Sequence, residues 1–93
     1  MAIEVRIPTI LRTYTDGAKA VNGTGGNLAE LIEDLEANHA GIKERLIDNG
    51  DLRRFVNVYV NDEDVRFTGG LETSLSDGDQ VVILPAVAGG SRG

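Results

Sequence analysis

The chain has 93 residues, 41% of them apolar, which is enough for one domain burying roughly 60% of the surface its unfolded chain exposes, so a multidomain enzyme is excluded. It contains no cysteine, which removes disulfides, thiolate zinc sites, iron–sulfur clusters and a cysteine nucleophile, and suits a reducing compartment. Nine basic against fifteen acidic side chains leave a net charge of −6, the wrong sign for displacing counterions from nucleic acid or lying on an anionic membrane.

Met1 to Arg12 lacks a basic segment followed by a long apolar stretch, and the longest apolar run is Val81 to Leu84, so a cytoplasmic protein is expected. Ile3, Val5 and Ile7 alternate with Glu4 and Arg6, which predicts a half-buried strand over 2–7 that ends at Pro8. The Asp16-Gly17 turn signal then allows Ala18 to Asn22 to return as a second strand. Gly23-Thr24-Gly25-Gly26 breaks the pattern, and Asn27 with Glu30 three residues on forms a capping box. Leu28, Leu31, Ile32 and Leu35 recur at helical spacing while Glu30, Glu33, Asp34 and Glu36 take the other faces, the mark of an amphipathic helix. Gly41 suits the C′ position, residues 42–47 make a further helical turn, and Asn49-Gly50-Asp51 ends it.

Residues 55–60 are apolar, β-branched or aromatic at nearly every position, which predicts a central strand covered on both faces. Asn61 to Asp64 reads as a polar turn, residues 65–67 as a short returning strand, Leu71 and Leu75 as anchors of a helical turn, and 80–84 as the last strand. This order implies an α+β roll, a mixed sheet packed on one main helix, with the first and last strands as parallel neighbours.

Catalytic constellations are mostly missing. His39, the one histidine, falls near the predicted helix end, where it favours the macrodipole. No serine lies in a nucleophile motif. Asp62-Glu63-Asp64 lacks the spacing of a calcium loop, and the glycine-rich stretch before the helix lacks the Gly-Lys-Ser/Thr of a phosphate-binding loop. The helix-face acids and Arg53-Arg54 read as solvated charge or as contacts for a partner.

The end of the chain is different. After the last strand come Pro85, Ala86, Val87, Ala88, Gly89 and Gly90, followed by Ser91-Arg92-Gly93. Residues 85–90 can extend roughly 20 Å from the body. Two adjacent residues without Cβ let a backbone enter a narrow channel and leave the acyl carbon uncrowded for attack. The alternative is a frayed, solubilising end.

With that tail, the strand–strand–helix–strand order resembles the ubiquitin-like β-grasp sulfur carriers of the thiamin and molybdopterin pathways. It is closer to the actinobacterial carriers of cysteine biosynthesis through residues 7–12, 34–38, 54–67 and 84–90. The resemblance implies a β-grasp domain over 1–84 and a Gly-Gly tail over 85–90; Ser91-Arg92-Gly93 departs from the pattern and leaves Gly90 in an amide, so removal of 91–93 by processing at the Gly90–Ser91 junction is expected. It also implies a protein-borne co-substrate with no bound cofactor, not an enzyme. Gly90 would be the reactive end, adenylated with ATP by a ubiquitin-activating-type enzyme and converted to a thiocarboxylate. A PLP-dependent cysteine synthase-like enzyme would use that sulfur, and a JAMM-type zinc metalloprotease would release the product. Arg54, Phe55 and Tyr59 are the expected docking residues, on the sheet face opposite the helix. The alternatives are a donor for thiamin, molybdopterin or a secondary metabolite, a ubiquitin-like modifier forming isopeptide bonds through Gly90, and a non-covalent β-grasp module.

Overall fold

The computed structural model describes residues 2–54 and 56–85. Strand β1 (Ile3–Arg6) is followed by a 3-10 helix (Thr9–Thr15), β2 (Ala20–Gly23), α1 (Leu28–Asn38) and α2 (Ile42–Leu46). A hairpin of β3 (Ile47–Asp48) and β4 (Asp51–Leu52), then β5 (Val56–Val60), β6 (Glu63–Asp64) and β7 (Gln80–Pro85) complete the order. The five-stranded sheet runs β2-β1-β7-β5-β6. The central pair, β1 and β7, is parallel, with Val5 opposite Val81, as expected, and every other pair in the sheet is antiparallel. This is the ubiquitin-like β-grasp.

One helix supplies the cover. The apolar stripe of α1, Leu28, Leu31, Ile32 and Leu35, is buried in a single cluster with Ile3 and Val5 of β1, Val56 and Val58 of β5, and Val81 and Ile83 of β7. The capping residues act nearly as read. The Asn27 Oδ1 accepts from the Glu30 N–H at 2.9 Å, while the Glu30 carboxylate reaches one residue further, to the Gly26 N–H at 2.8 Å. The glycine stretch before the helix is tightly packed, since a Cβ on Gly23 would lie 2.6 Å from Leu31 Cδ1 and one on Gly25 2.6 Å from the Leu31 nitrogen.

Several local expectations are corrected. The segment after Pro8 is a 3-10 helix, because Leu11 packs into the core and the buried Thr15 hydroxyl closes the following turn on Ala18 O at 3.0 Å. The second strand therefore begins at Ala20 and reaches Gly23. Helix α1 ends with His39 at the C-cap, and the left-handed Gly41 instead opens α2. Asn49 and Gly50, with φ of 55° and 78°, do more than end a helix: they form the turn of the β3–β4 hairpin. Strand β5 is not covered on both faces. Val56, Val58 and Val60 are buried while Asn57 and Tyr59 are half-buried, and β7 takes the sheet centre. Residues 65–67 are a 3-10 turn, not a strand, because the Asp64 carboxylate accepts from the Arg66 N–H at 2.9 Å and turns the chain away from the sheet.

Candidate interaction site at the root of the tail

The tail leaves the fold from the centre of the sheet. Pro85, expected as the first residue of the tail, is the last residue of β7 and lies in register with Val56; having no N–H to offer, proline is tolerated at such a strand end. Ala86, Val87, Ala88, Gly89, Gly90 and Ser91 lie outside the described residues, as does Phe55. Arg54 is exposed in the turn before β5, and Tyr59 lies on the uncovered sheet face, across from Val82 on one side and Asp64 on the other. The structure thus places Tyr59 on the face where it was expected.

Two clefts flank the strand end. One, of about 220 Å³, is bounded by Pro8, Ile10, Arg45, Arg53, Val56 and Leu84. The other, of about 400 Å³, lies against Arg6, Thr9, Ile10, Arg12, Lys19 and Leu84. Both open beside Ile10 and Leu84, which are 67% and 45% exposed and adjoin one another at this end of the sheet. Apart from Arg53, the cationic residues here were not singled out from the sequence, because the lining comes from five separate stretches of chain that meet only in the fold.

Hydrogen bonds fix several of the cations. The Arg45 Nε donates to the Tyr14 hydroxyl at 2.6 Å, which pushes the guanidinium further above its ordinary pKa. Arg53 Nε donates to the Glu44 carbonyl at 2.7 Å, and Arg12 Nε to the Ile7 carbonyl at 3.1 Å. Arg66 serves the fold instead, with its terminal nitrogens on Asn57 Oδ1, Val56 O and Arg53 O. Away from this end, the Glu36 carboxylate accepts from the amides of Lys43 and Gly41, which lowers its pKa and ties α1 to α2. It is a helix tie and not merely a solvated charge. Among the described residues no group of His, Asp or Glu side chains is placed to hold a metal, and no helix is long and apolar enough to cross a membrane.

The comparisons with known proteins agree with the fold. The ThiS family model matches residues 5–90. The chain is 61% identical to the sulfur carrier protein CysO of Mycobacterium tuberculosis, across 97% of this chain and 100% of that protein. It is 34% identical to a putative sulfur carrier protein of Archaeoglobus fulgidus, again covering 97% and 100%. Among solved structures it resembles a chain of the Amycolatopsis orientalis BexX/CysO complex, with 60% identity, a TM-score of 0.91, and 95% and 99% of the two chains covered. The fold, the position of the Gly-Gly pair after the central strand and the match through Gly90 lead to one statement: the chain belongs to the ThiS family.

Proposed function

We propose that this chain is a sulfur carrier that works in cysteine biosynthesis and has no catalytic activity of its own. The observation that carries the reading is the pairing of a ThiS-family match ending at Gly90 with a central strand that delivers the chain to an exposed end at Leu84-Pro85. The 61% identity to a protein named as a sulfur carrier supports it.

The chemistry follows from the weakness of a carboxylate as an electrophile. A Gly90 carboxylate oxygen attacks the α-phosphorus of ATP on a ubiquitin-activating-type enzyme, pyrophosphate leaves, and the acyl adenylate forms. Attack by a sulfur nucleophile on the acyl carbon then expels AMP, and after transfer is complete one oxygen has been replaced by sulfur. On a PLP-dependent synthase the thiocarboxylate sulfur would replace the leaving group of an activated serine to give a thioester, the amine of the new cysteine would take the Gly90 acyl group from its sulfur to form a peptide bond, and a JAMM-type zinc metalloprotease would hydrolyse that bond to release cysteine. ATP, PLP and zinc belong to these partners. The sheet face with Tyr59, together with Arg54 and Phe55, forms part of the docking surface.

Ser91-Arg92-Gly93 blocks the reaction in the chain as written, because the Gly90 acyl carbon is then an amide. Hydrolysis at Gly90–Ser91 therefore precedes adenylation, and a JAMM-type peptidase suits that cut.

The test compares chains 1–93 and 1–90 in ATP–pyrophosphate exchange with the organism's activating enzyme, followed by mass spectrometry with a sulfide source. Only 1–90 gains the mass of sulfur in place of oxygen. Thiocarboxylate on uncut 1–93 overturns the processing step, and inert 1–90 overturns the carrier reading. A second reading, a ubiquitin-like modifier, is favoured by 40% identity to small archaeal modifier protein 3 of Haloferax volcanii across 68% of each chain. Lysine adducts of Gly90 in place of the thiocarboxylate would select it.

A further inference from the structure

We infer that the root of the tail is a preset receptor for carboxylates, and that the enzyme channel receiving the tail carries acidic side chains at its mouth around an apolar contact. The inference rests on the carrier reading and adds the chemistry of the partner surface.

Charge placement is the first observation. Acidic residues outnumber basic ones fifteen to nine in the chain, yet Arg6, Arg12, Lys19, Arg45 and Arg53 line the two clefts beside Leu84 and no aspartate or glutamate does. The single ion pair among the described residues, Lys43 with Glu33, lies elsewhere. No carboxylate among the described residues forms an ion pair with these cations, and Glu44 acts on Arg45 only through its charge as a chain neighbour.

The second observation is how the arginines are held. Arg12, Arg45 and Arg53 each use Nε on a neutral oxygen, two carbonyls and a phenol. Their terminal nitrogens make no hydrogen bond among the described residues. Arg66 does the opposite and spends both terminal nitrogens inside the fold. A guanidinium fixed through Nε has lost part of its rotamer freedom already, keeps its charge, and presents the two-nitrogen edge that matches a carboxylate.

Exposed Ile10 and Leu84 supply the third element, an apolar centre between the cations. Apolar contact ringed by charge is the anatomy of a protein interface, where the centre excludes water and the rim sets encounter rate and register. Nucleic acid has the right charge for the cations but not for the chain, whose net charge of −6 repels a polyanion. The occupant is accordingly a folded partner with a local acidic rim.

The test measures binding of chain 1–90 to its activating enzyme by stopped flow and calorimetry across a salt series, with adenylation followed in parallel. Arg6→Glu/Lys19→Glu changes two exposed cations for which no internal hydrogen bond is found among the described residues, so the fold is preserved. It lowers the association rate about tenfold or more at low salt and flattens the salt dependence. Arg53→Lys keeps the charge and loses the two-nitrogen edge, so it raises the dissociation rate while leaving the association rate near the parent's. Glu72→Lys, away from both clefts, leaves binding unchanged. Parent 1–90 that is adenylated but binds with no salt dependence, or charge-reversed chains that bind as the parent does, overturn the receptor alone. Parent 1–90 that neither binds nor is adenylated overturns the carrier reading and the receptor with it.

Discussion

The docking of α1 on the sheet can be tested at one contact, between Leu31 and Gly23. Leu31 has no exposed surface, and a Cβ built on Gly23 would approach its Cδ1 to 2.6 Å, with Leu35 Cδ2 at 3.5 Å. Leu31→Ala deletes three buried carbon groups, about 2–3 kcal/mol of transfer free energy, and the cavity raises the loss to about 3–4 kcal/mol. For a domain whose total stability is about 5–10 kcal/mol, that lowers the thermal midpoint by about 15–25 °C. Gly23→Ala alone overpacks the same contact and costs about 1–3 kcal/mol. In the double variant the new methyl enters the space that the leucine vacated, so the combined loss falls below the sum of the two. Urea titration by far-UV circular dichroism gives all four stabilities. Strict additivity, or a Leu31→Ala chain with the parent's midpoint, would refute this packing.

Two further outcomes follow from hydrogen bonds and backbone approach. The Lys43 and Gly41 amides hold the Glu36 carboxyl below its ordinary value of 4.5, so its contribution to stability is present above that value and is lost as pH falls through the lowered folded value. Glu36→Gln should therefore lower the melting temperature at pH 7, with the gap from the parent closing in more acidic buffer; a gap that stays constant would show the tie to be absent. Gly25→Ala sets its Cβ 2.6 Å from the Leu31 backbone nitrogen, an obstruction no rotamer relieves, and costs about 2–3 kcal/mol, while Gly26→Ala meets only the Glu30 carboxylate at 3.3 Å and costs under about 1 kcal/mol. Equal melting temperatures for the two variants would return the segment to a plain flexible turn.

What was legible in the sequence is what one periodicity or one local motif determines. The stripe of Leu28, Leu31, Ile32 and Leu35 specified the helix and its buried face, and the alternation around Val5 specified β1. The parallel pairing of β1 with β7 followed from connection logic. The short elements were harder, because hydrogen bonds to distant groups decide them. Residues 65–67 look extended by composition, but the Asp64 cap and the reach of Arg66 to the β5 end bend them into a turn. Val56 to Val60 looks covered on both faces because Tyr59 is as β-prone as valine, yet the chain has one long helix and hence cover for one face. Asn49-Gly50 is ambiguous for the same reason, since the dipeptide stops a helix as readily as it turns a hairpin.

The candidate site illustrates a different loss of information, that of sign. A net charge of −6 is a sum over the whole surface, whereas screening confines the influence of each exposed charge to about a Debye length, about 8 Å at physiological salt. At contact range, a surface docking at this end of the sheet meets the groups around Leu84. Those groups are cationic because β1 brings Arg6, the 3-10 helix brings Arg12, the bend before β2 brings Lys19, and α2 and the residue after β4 bring Arg45 and Arg53 to one end of the sheet. No stretch of the sequence is basic enough to announce this, since the five residues are spread from position 6 to position 53. The overall negative charge and the local positive one have separate consequences. The first weakens association with polyanions and with other copies of the chain, while the second suits the acidic partner surface inferred above.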